Sequence, residues 1–165
     1  MAEEMIRVLI AEDMDPIRKR YVKILSEAED ITVVADVSSG AEAVRQAKIS
    51  RPDVILMDIE MEEKDAGLRA TKELLLGYKD LKIIILTVFE EDELIFTAFQ
   101  LGVSDYILKN AKPVEVLKSI RDVYHGNAPL RPEIASKILS EFKRVKSYES
   151  SFLYAVNMVT TLTST

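Results

Sequence analysis

The chain has 165 residues, enough for one compact domain and a short appendage, and its formal net charge of −6 disfavours nucleic-acid binding by the chain itself. It contains no cysteine and a single histidine, which excludes a disulfide scaffold and a thiolate or multi-histidine metal site. No apolar run approaches the roughly 20 residues of a membrane helix, and the acidic N-terminus is unlike a signal peptide, so we expect a cytoplasmic protein with no membrane contact.

Strand and helix patterns alternate along residues 6–126. Apolar and β-branched runs predict five strands, at Ile6–Ala11, Ile31–Val37, Asp53–Asp58, Leu81–Thr87 and Asp105–Lys109. Apolar residues at helical spacing predict five helices, which begin near Pro16, Ser38 or Ser39, Asp65, Asp92 and Pro113. Apolar strands that alternate with helices are typical of a parallel sheet covered on both faces. The pattern therefore predicts an α/β fold, a flavodoxin-like (βα)5 doubly wound sheet with strand order 2-1-3-4-5.

A different pattern follows residue 126. Pro129 and Pro132 mark a joint. A sixth, amphipathic helix is predicted from apolar residues at helical spacing, namely Ile134, Ile138, Leu139, Phe142 and Val145. We therefore expect a body over residues 1–126, a linker with this helix over residues 127–150, and an uncharged tail over residues 151–165.

Three carboxylates are expected to meet at the carboxyl edge of the predicted sheet. Asp13 follows the first strand and Asp58 ends the third, and these strands are neighbours at the switch point of this strand order. Glu12 stands beside Asp13 and adds a third carboxylate to the same small volume. Like charges at this density repel one another unless a cation neutralises them. Because the donors are all oxygen atoms, the cluster predicts a hard ion, Mg²⁺ before Ca²⁺.

Two further polar residues, Thr87 and Lys109, end the fourth and fifth strands at the same edge. A carboxylate nucleophile, a magnesium pocket, a hydroxyl and a lysine suit phosphoryl transfer, which depends on positioning and charge neutralisation. In this interpretation Asp58 attacks phosphorus in line, Mg²⁺ and Lys109 bind the phosphoryl oxygens, and Thr87 donates a hydrogen bond. Each residue alone has an ordinary structural explanation, so the inference depends on their conjunction.

Several of these segments together resemble the receiver domain of two-component response regulators, over about residues 5–126. The segments are Glu12-Asp13, the strand that ends at Asp58, Leu86-Thr87, and Asp105-Tyr-Ile-Leu-Lys109 with Pro113 after it. The resemblance implies that Asp58 accepts a phosphoryl group from the phosphohistidine of a sensor histidine kinase. It also implies a signalling switch that catalyses only its own phosphorylation and dephosphorylation, and is otherwise not an enzyme.

The resemblance further implies metal ligands and a switch. The implied Mg²⁺ ligands are three carboxylates and one backbone carbonyl, namely Glu12, Asp13, Asp58 and the carbonyl of Glu60. Thr87 and Tyr106 would form the switch pair, since Thr87 moving toward the phosphoryl oxygens empties a space into which Tyr106 can rotate. The family often dimerises, so we expect a homodimer on phosphorylation.

Two stretches are similar to the NarL/LuxR-type subgroup, namely Gly102–Pro113 and His125–Ala135. In that subgroup a helix-turn-helix domain follows, typically opening with a Leu-Thr pair. The sequence stops at Leu162-Thr163-Ser-Thr165, where such a domain would begin. We expect a fragment of a transcriptional regulator that binds DNA only through the missing effector domain, or, second, a natural stand-alone regulator.

Three positions depart from the family pattern. Glu62 stands where the family usually has proline, and Ala66 where glycine is frequent, although Gly67 is adjacent. Val88 follows Thr87 where a smaller residue is frequent, and we expect it to slow phosphoryl exchange.

Two other functions fit the same residues. A Mg²⁺-dependent phosphatase or phosphotransferase could use Asp58 as its nucleophile and Glu60, two residues later, as its acid or base. A receiver-like interaction module that never accepts phosphate is the third hypothesis, and the intact set of Asp13, Asp58, Thr87 and Lys109 argues against it.

Overall fold

The computed structural model describes residues 4–127 and 131–146. Within these residues the strands are β1 (Ile6–Ala11), β2 (Ile31–Val37), β3 (Val54–Met57), β4 (Lys82–Thr87) and β5 (Asp105–Leu108). The helices are α1 (Asp15–Ser26), α2 (Gly40–Ser50), α3 (Ala66–Gly77), α4 (Asp92–Leu101), α5 (Pro113–Tyr124) and α6 (132–146). The strands pair in parallel in the order β2-β1-β3-β4-β5, which confirms the predicted flavodoxin-like sheet.

The sheet is buried on both faces, which explains why its central strands are almost entirely apolar. Leu9 and Ile55 belong to the cluster under α2, α3 and α4, whereas Ile10 and Leu56 belong to the cluster under α1 and α5. All four side chains are at most 1% exposed. Since burial of such a side chain contributes about 1.5–3 kcal/mol, the two layers hold the strand ends in place.

Local signals set the helix ends. Pro16 lies in the first turn of α1, where its missing N–H costs no hydrogen bond. The Ser39 hydroxyl accepts a hydrogen bond from the Glu42 N–H at 3.0 Å and caps α2. Gly102 ends α4 with a φ of 104°, a left-handed conformation that glycine adopts without strain.

The predicted strands differ from the observed ones only at their ends. The predictions include Asp53, Asp58, Leu81 and Lys109, which instead flank β3, β4 and β5 in the structure. Asp58 and Lys109 therefore stand just beyond their strands, at the carboxyl edge of the sheet.

The predicted sixth helix is present as α6 and packs on the body. Ile134 is 8% exposed and Ile138 packs against the same cluster of buried residues. Leu139 and Phe142, predicted for the apolar face, are 58% and 48% exposed, because the inward positions of α6 are 134, 138 and 141. The tail predicted over residues 151–165 lies outside the described residues.

Across residues 4–127 and 131–146, none of the helices combines the length and the apolar character needed to cross a membrane.

Candidate functional site

Three carboxylates meet where β1 and β3 end side by side. Ala11 pairs with Met57, and the Asp58 N–H donates to the Ala11 carbonyl at 3.1 Å, so the residues after both strands are neighbours. Carboxylate oxygens of Glu12, Asp13 and Asp58 all lie within 4.8 Å of one another. Glu12 and Asp58 are buried and Asp13 is exposed, so the cluster opens to solvent on one side.

Lys109 lies between two of these carboxylates. Its backbone N–H donates to the Thr87 carbonyl at 2.8 Å, which carries it to the same edge. Its Nζ lies 2.7 Å from Asp58 Oδ2 and 2.5 Å from Glu12 Oε2. Burial alone would lower the pKa of Lys109, but the bonds to both carboxylates outweigh it and raise that pKa. Lys109 is therefore a permanent cation against Asp58.

Glu12 is held in an environment that disfavours its charge. Burial raises the pKa of Glu12 to about 7; the hydrogen bond from Lys109 opposes this rise, and the charge of Asp58 adds to it. One lysine therefore does not fully compensate the buried carboxylates. A divalent cation beside them would favour their ionised forms, and an all-oxygen donor set without histidine or cysteine fits Mg²⁺.

The backbone around Asp58 fixes its side chain. Asp58 Oδ1 accepts a hydrogen bond from the Ile59 N–H at 2.8 Å, while Oδ2 faces Lys109. The Gly67 N–H donates to the Ile59 carbonyl at 2.7 Å. A Cβ at Gly67 would lie 1.7 Å from the Asp58 carbonyl oxygen, so α3 can approach the end of β3 only with glycine at position 67.

The loop between β3 and α3 is attached to α2 by Glu62. Its two carboxylate oxygens accept hydrogen bonds from the Gly40 N–H at 2.7 Å and the Ala41 N–H at 3.0 Å. Burial acts to raise the pKa of Glu62, but the backbone donors outweigh it and lower that pKa. In the sequence Glu62 stands out only as a departure from proline, and because 22 residues separate it from Gly40 there is no local signal for this contact.

Thr87 and Tyr106 contact the backbone of the same residue. Both side chains are fully buried. Thr87 Oγ1 accepts a hydrogen bond from the Phe89 N–H at 3.5 Å, and the Tyr106 hydroxyl donates to the Phe89 carbonyl at 2.6 Å. Burial raises the pKa of Tyr106, so its hydroxyl remains a donor. Tyr106 is therefore buried and bonded to the loop after β4, and its role as a switch residue stays a prediction.

The remaining predicted residues lie around this centre. Glu60 is exposed in the loop after β3, and the predicted role of its carbonyl stays a prediction because that role depends on an ion. Val88 is 65% exposed beside Thr87, so its side chain stands at the surface of the same edge. The structure therefore brings together Glu12, Asp13, Asp58 and Lys109, with Thr87 and Tyr106 joined through Phe89.

Known proteins resemble this chain in sequence. The family described as the response regulator receiver domain matches residues 8–121. The chain is 38% identical over 139 residues to the transcriptional regulatory protein LiaR of Bacillus subtilis, covering 84% of this chain and 65% of LiaR. It is 32% identical over 137 residues to the oxygen regulatory protein NreC of Staphylococcus carnosus, covering 83% of this chain and 63% of NreC.

A solved structure also resembles the fold. The crystal structure of a LuxR-family two-component response regulator from Aurantimonas sp. SI85-9A1 has a TM-score of 0.76 and 25% identity, covering 84% of this chain and 98% of that one. The chain belongs to the response regulator receiver domain family, and the predicted fold, family and LuxR-type subgroup are confirmed. This is a signalling family, which disfavours the phosphatase hypothesis. The chain spans slightly less than two thirds of the length of its curated relatives LiaR and NreC.

Proposed function

We propose that this chain is a phosphorylation-activated receiver whose phosphoacceptor is Asp58. The observation that carries the proposal is a buried carboxylate at the end of a central strand, with Lys109 Nζ 2.7 Å from one oxygen and two further carboxylates beside it. A nucleophile, a fixed cation and a set of oxygen donors for a metal are the components that phosphoryl transfer needs.

In the proposed reaction an Asp58 carboxylate oxygen attacks phosphorus in line with the bond to the donor. The P–N bond of a phosphohistidine breaks, an acyl phosphate forms on Asp58, and the imidazole leaves with the bonding electron pair and takes up a proton. Lys109 binds a phosphoryl oxygen and neutralises its charge. Mg²⁺, when bound, supplies further neutralisation of the phosphoryl charge.

The proposed metal site uses residues of two strand ends and one loop. Glu12, Asp13 and Asp58 would hold Mg²⁺ through their carboxylates, and Glu60 through its backbone carbonyl. Burial and, to a lesser extent, the charge of Asp58 raise the pKa of Glu12, and this supports the proposal because a bound cation would favour the ionised carboxylate.

The proposed switch is the pair Thr87 and Tyr106. A phosphoryl group on Asp58 adds about −1.5 to −2 charge and new acceptor oxygens. Thr87, which ends β4 beside Lys109, would turn its hydroxyl toward them and empty a space into which the Tyr106 ring can rotate, which favours the buried position of that ring. Phe89 contacts both side chains, so the loop that follows β4 responds to the change.

The proposed partners follow from the family. Receiver domains of this family work with sensor histidine kinases and dimerise, and we propose the same for this chain, in the cytoplasm. The parent protein would regulate transcription and would contact DNA only through an effector domain. The names of LiaR and NreC support this regulatory role.

The decisive experiment measures intact mass after incubation with Mg²⁺ and acetyl phosphate. Wild type is expected to gain one phosphoryl group, and Asp58→Asn none. The matched control is Asp80→Asn, which removes an exposed carboxylate in the loop before β4 at the opposite edge of the sheet and should leave labelling unchanged. Equal labelling of Asp58→Asn would contradict the proposal, and so would wild type that is neither labelled by acetyl phosphate nor able to bind the phosphoryl mimic beryllofluoride. Steady hydrolysis of many small phosphate esters would instead favour the phosphatase.

A further inference from the structure

Helix α6 is attached to the surface formed by α4 and β5 at two points. Arg131, just before α6, donates from Nη2 to Asp105 Oδ1 at 3.0 Å and to the carbonyl oxygen of Tyr106. One and a half turns into the helix, Lys137 Nζ lies 3.1 Å from Asp92 Oδ1 and 3.5 Å from the Glu90 carbonyl oxygen. The first point is on β5 and the second is at the start of α4.

The contact at Arg131 is built into the body of the domain. Asp105 also accepts hydrogen bonds from the Ser119 hydroxyl at 2.5 Å and from the Tyr106 N–H at 2.8 Å, so its carboxylate is held in one orientation. Arg131 Nε is buried and has no hydrogen-bond partner within the described part of the chain. The Arg131 side chain is 38% exposed, but its Nε is buried and its Nη2 binds two acceptors, so the inner part of the guanidinium is fixed against the body.

Both attachment points adjoin the proposed switch. Arg131 donates to the backbone carbonyl of Tyr106 itself. The Tyr106 hydroxyl donates to the Phe89 carbonyl, and Lys137 donates to the carbonyl of the next residue, Glu90. Ile134 of α6 belongs to the same buried cluster as Tyr106. A displacement of Tyr106 or of the loop after β4 would therefore disturb both ends of the contact.

We propose that α6 is the output element of this receiver, and that its docking on α4 and β5 is coupled to the buried position of Tyr106. This inference rests on the proposed function in one respect. Phosphorylation of Asp58 would favour the buried position of Tyr106 and thereby strengthen the docking of α6 on α4 and β5. Coupling between two sites is reciprocal, so docked α6 also favours the phosphorylated form. The charges of the two contacting surfaces are complementary, because the basic Lys137 of α6 lies beside the acidic run Glu90-Glu91-Asp92-Glu93.

The test is backbone hydrogen exchange of residues 132–146 in the full chain, without any phosphoryl donor. Arg131→Ala and Lys137→Ala each remove a charge-assisted contact and are expected to accelerate exchange about tenfold. The matched control is Lys143→Ala, which truncates an exposed lysine of the same helix and should leave exchange unchanged. Tyr106→Phe keeps the ring but loses the bond to Phe89, and is expected to accelerate α6 exchange about threefold. Unchanged α6 exchange in Arg131→Ala and Lys137→Ala would overturn the docking, and unchanged exchange in Tyr106→Phe would overturn the coupling.

A second arm separates this inference from the proposed function. Beryllofluoride and Mg²⁺ are added, ¹⁹F resonances report binding at Asp58, and α6 exchange is measured again. Bound beryllofluoride with slower α6 exchange in wild type, but not in Arg131→Ala, supports the coupling. Bound beryllofluoride with unchanged α6 exchange overturns the coupling and leaves the proposed function intact. Absence of binding overturns the proposed function, and the Tyr106→Phe result then decides the coupling by itself.

Discussion

Replacement of Glu62 tests whether its carboxylate anchors the loop after β3 to the start of α2. Glu62→Ala removes an acceptor of two backbone hydrogen bonds, at 2.7 and 3.0 Å, from the first turn of a helix. Loss of such a cap costs about 0.5–2 kcal/mol, and because Glu62 is exposed to solvent we expect about 1 kcal/mol. At this chain length that lowers the melting temperature by about 2–4 °C. Glu62→Gln keeps one acceptor oxygen but loses the charge, and should cost about half as much.

The pH dependence of this effect has a definite sign. The pKa of Glu62 is lowered in the folded state, so its stabilisation is complete above the unfolded value of about 4.3 and is lost as the pH falls through the folded value. The difference between wild type and Glu62→Gln should therefore be constant near pH 7 and shrink below about pH 4.3.

The assay is urea and thermal unfolding in the presence of a chelator, so that bound metal does not contribute. Glu73→Ala is the matched control, because Glu73 is an exposed carboxylate of the same shallow groove between α2 and α3. If Glu62→Ala is as stable as Glu73→Ala, or if the Glu62→Gln difference does not shrink with acid, the anchoring role is wrong.

Three further predictions concern the phosphoacceptor and its surroundings. Gly67→Ala places a Cβ against the Asp58 carbonyl and should destabilise the protein by at least about 3 kcal/mol, measured by urea unfolding; a loss under about 1 kcal/mol would refute this packing argument. Lys109→Met leaves the Glu12 and Asp58 carboxylates without their cation and should cost about 3–5 kcal/mol without metal, with partial recovery in Mg²⁺; equal loss with and without Mg²⁺ would contradict the metal site. Val88→Ala should accelerate autodephosphorylation, followed by intact mass over time, and slower decay than in wild type would contradict the screening role of Val88.

The sequence predicted the elements of the fold because burial on both faces leaves a direct trace in residue type. Apolar runs such as Val54–Met57 are long enough for strands and are bounded by polar residues, so their existence and order could be read directly. Their ends could not be placed to the residue, since Asp53 and Lys109 are compatible with either a strand or a loop. The prediction that Leu139 and Phe142 lie on the buried face of α6 is wrong for a similar reason. Helical spacing shows which residues share a face, but it does not show which face of the helix packs on the body.

The sequence by itself determined that a carboxylate cluster and a lysine share one edge of a parallel sheet. Asp58 and Lys109 directly follow β3 and β5, and Asp13 lies two residues after β1, so the strand order alone brings them together. Only the tertiary structure decided the contacts made through loops and the linker. Arg131 meets Asp105 across 26 residues and Glu62 meets Gly40 across 22, and neither spacing carries a periodic signal. Those contacts depend on how the loops and α6 pack against the sheet. Two such groups can form a hydrogen bond only where the backbone of the folded chain places them within hydrogen-bond distance.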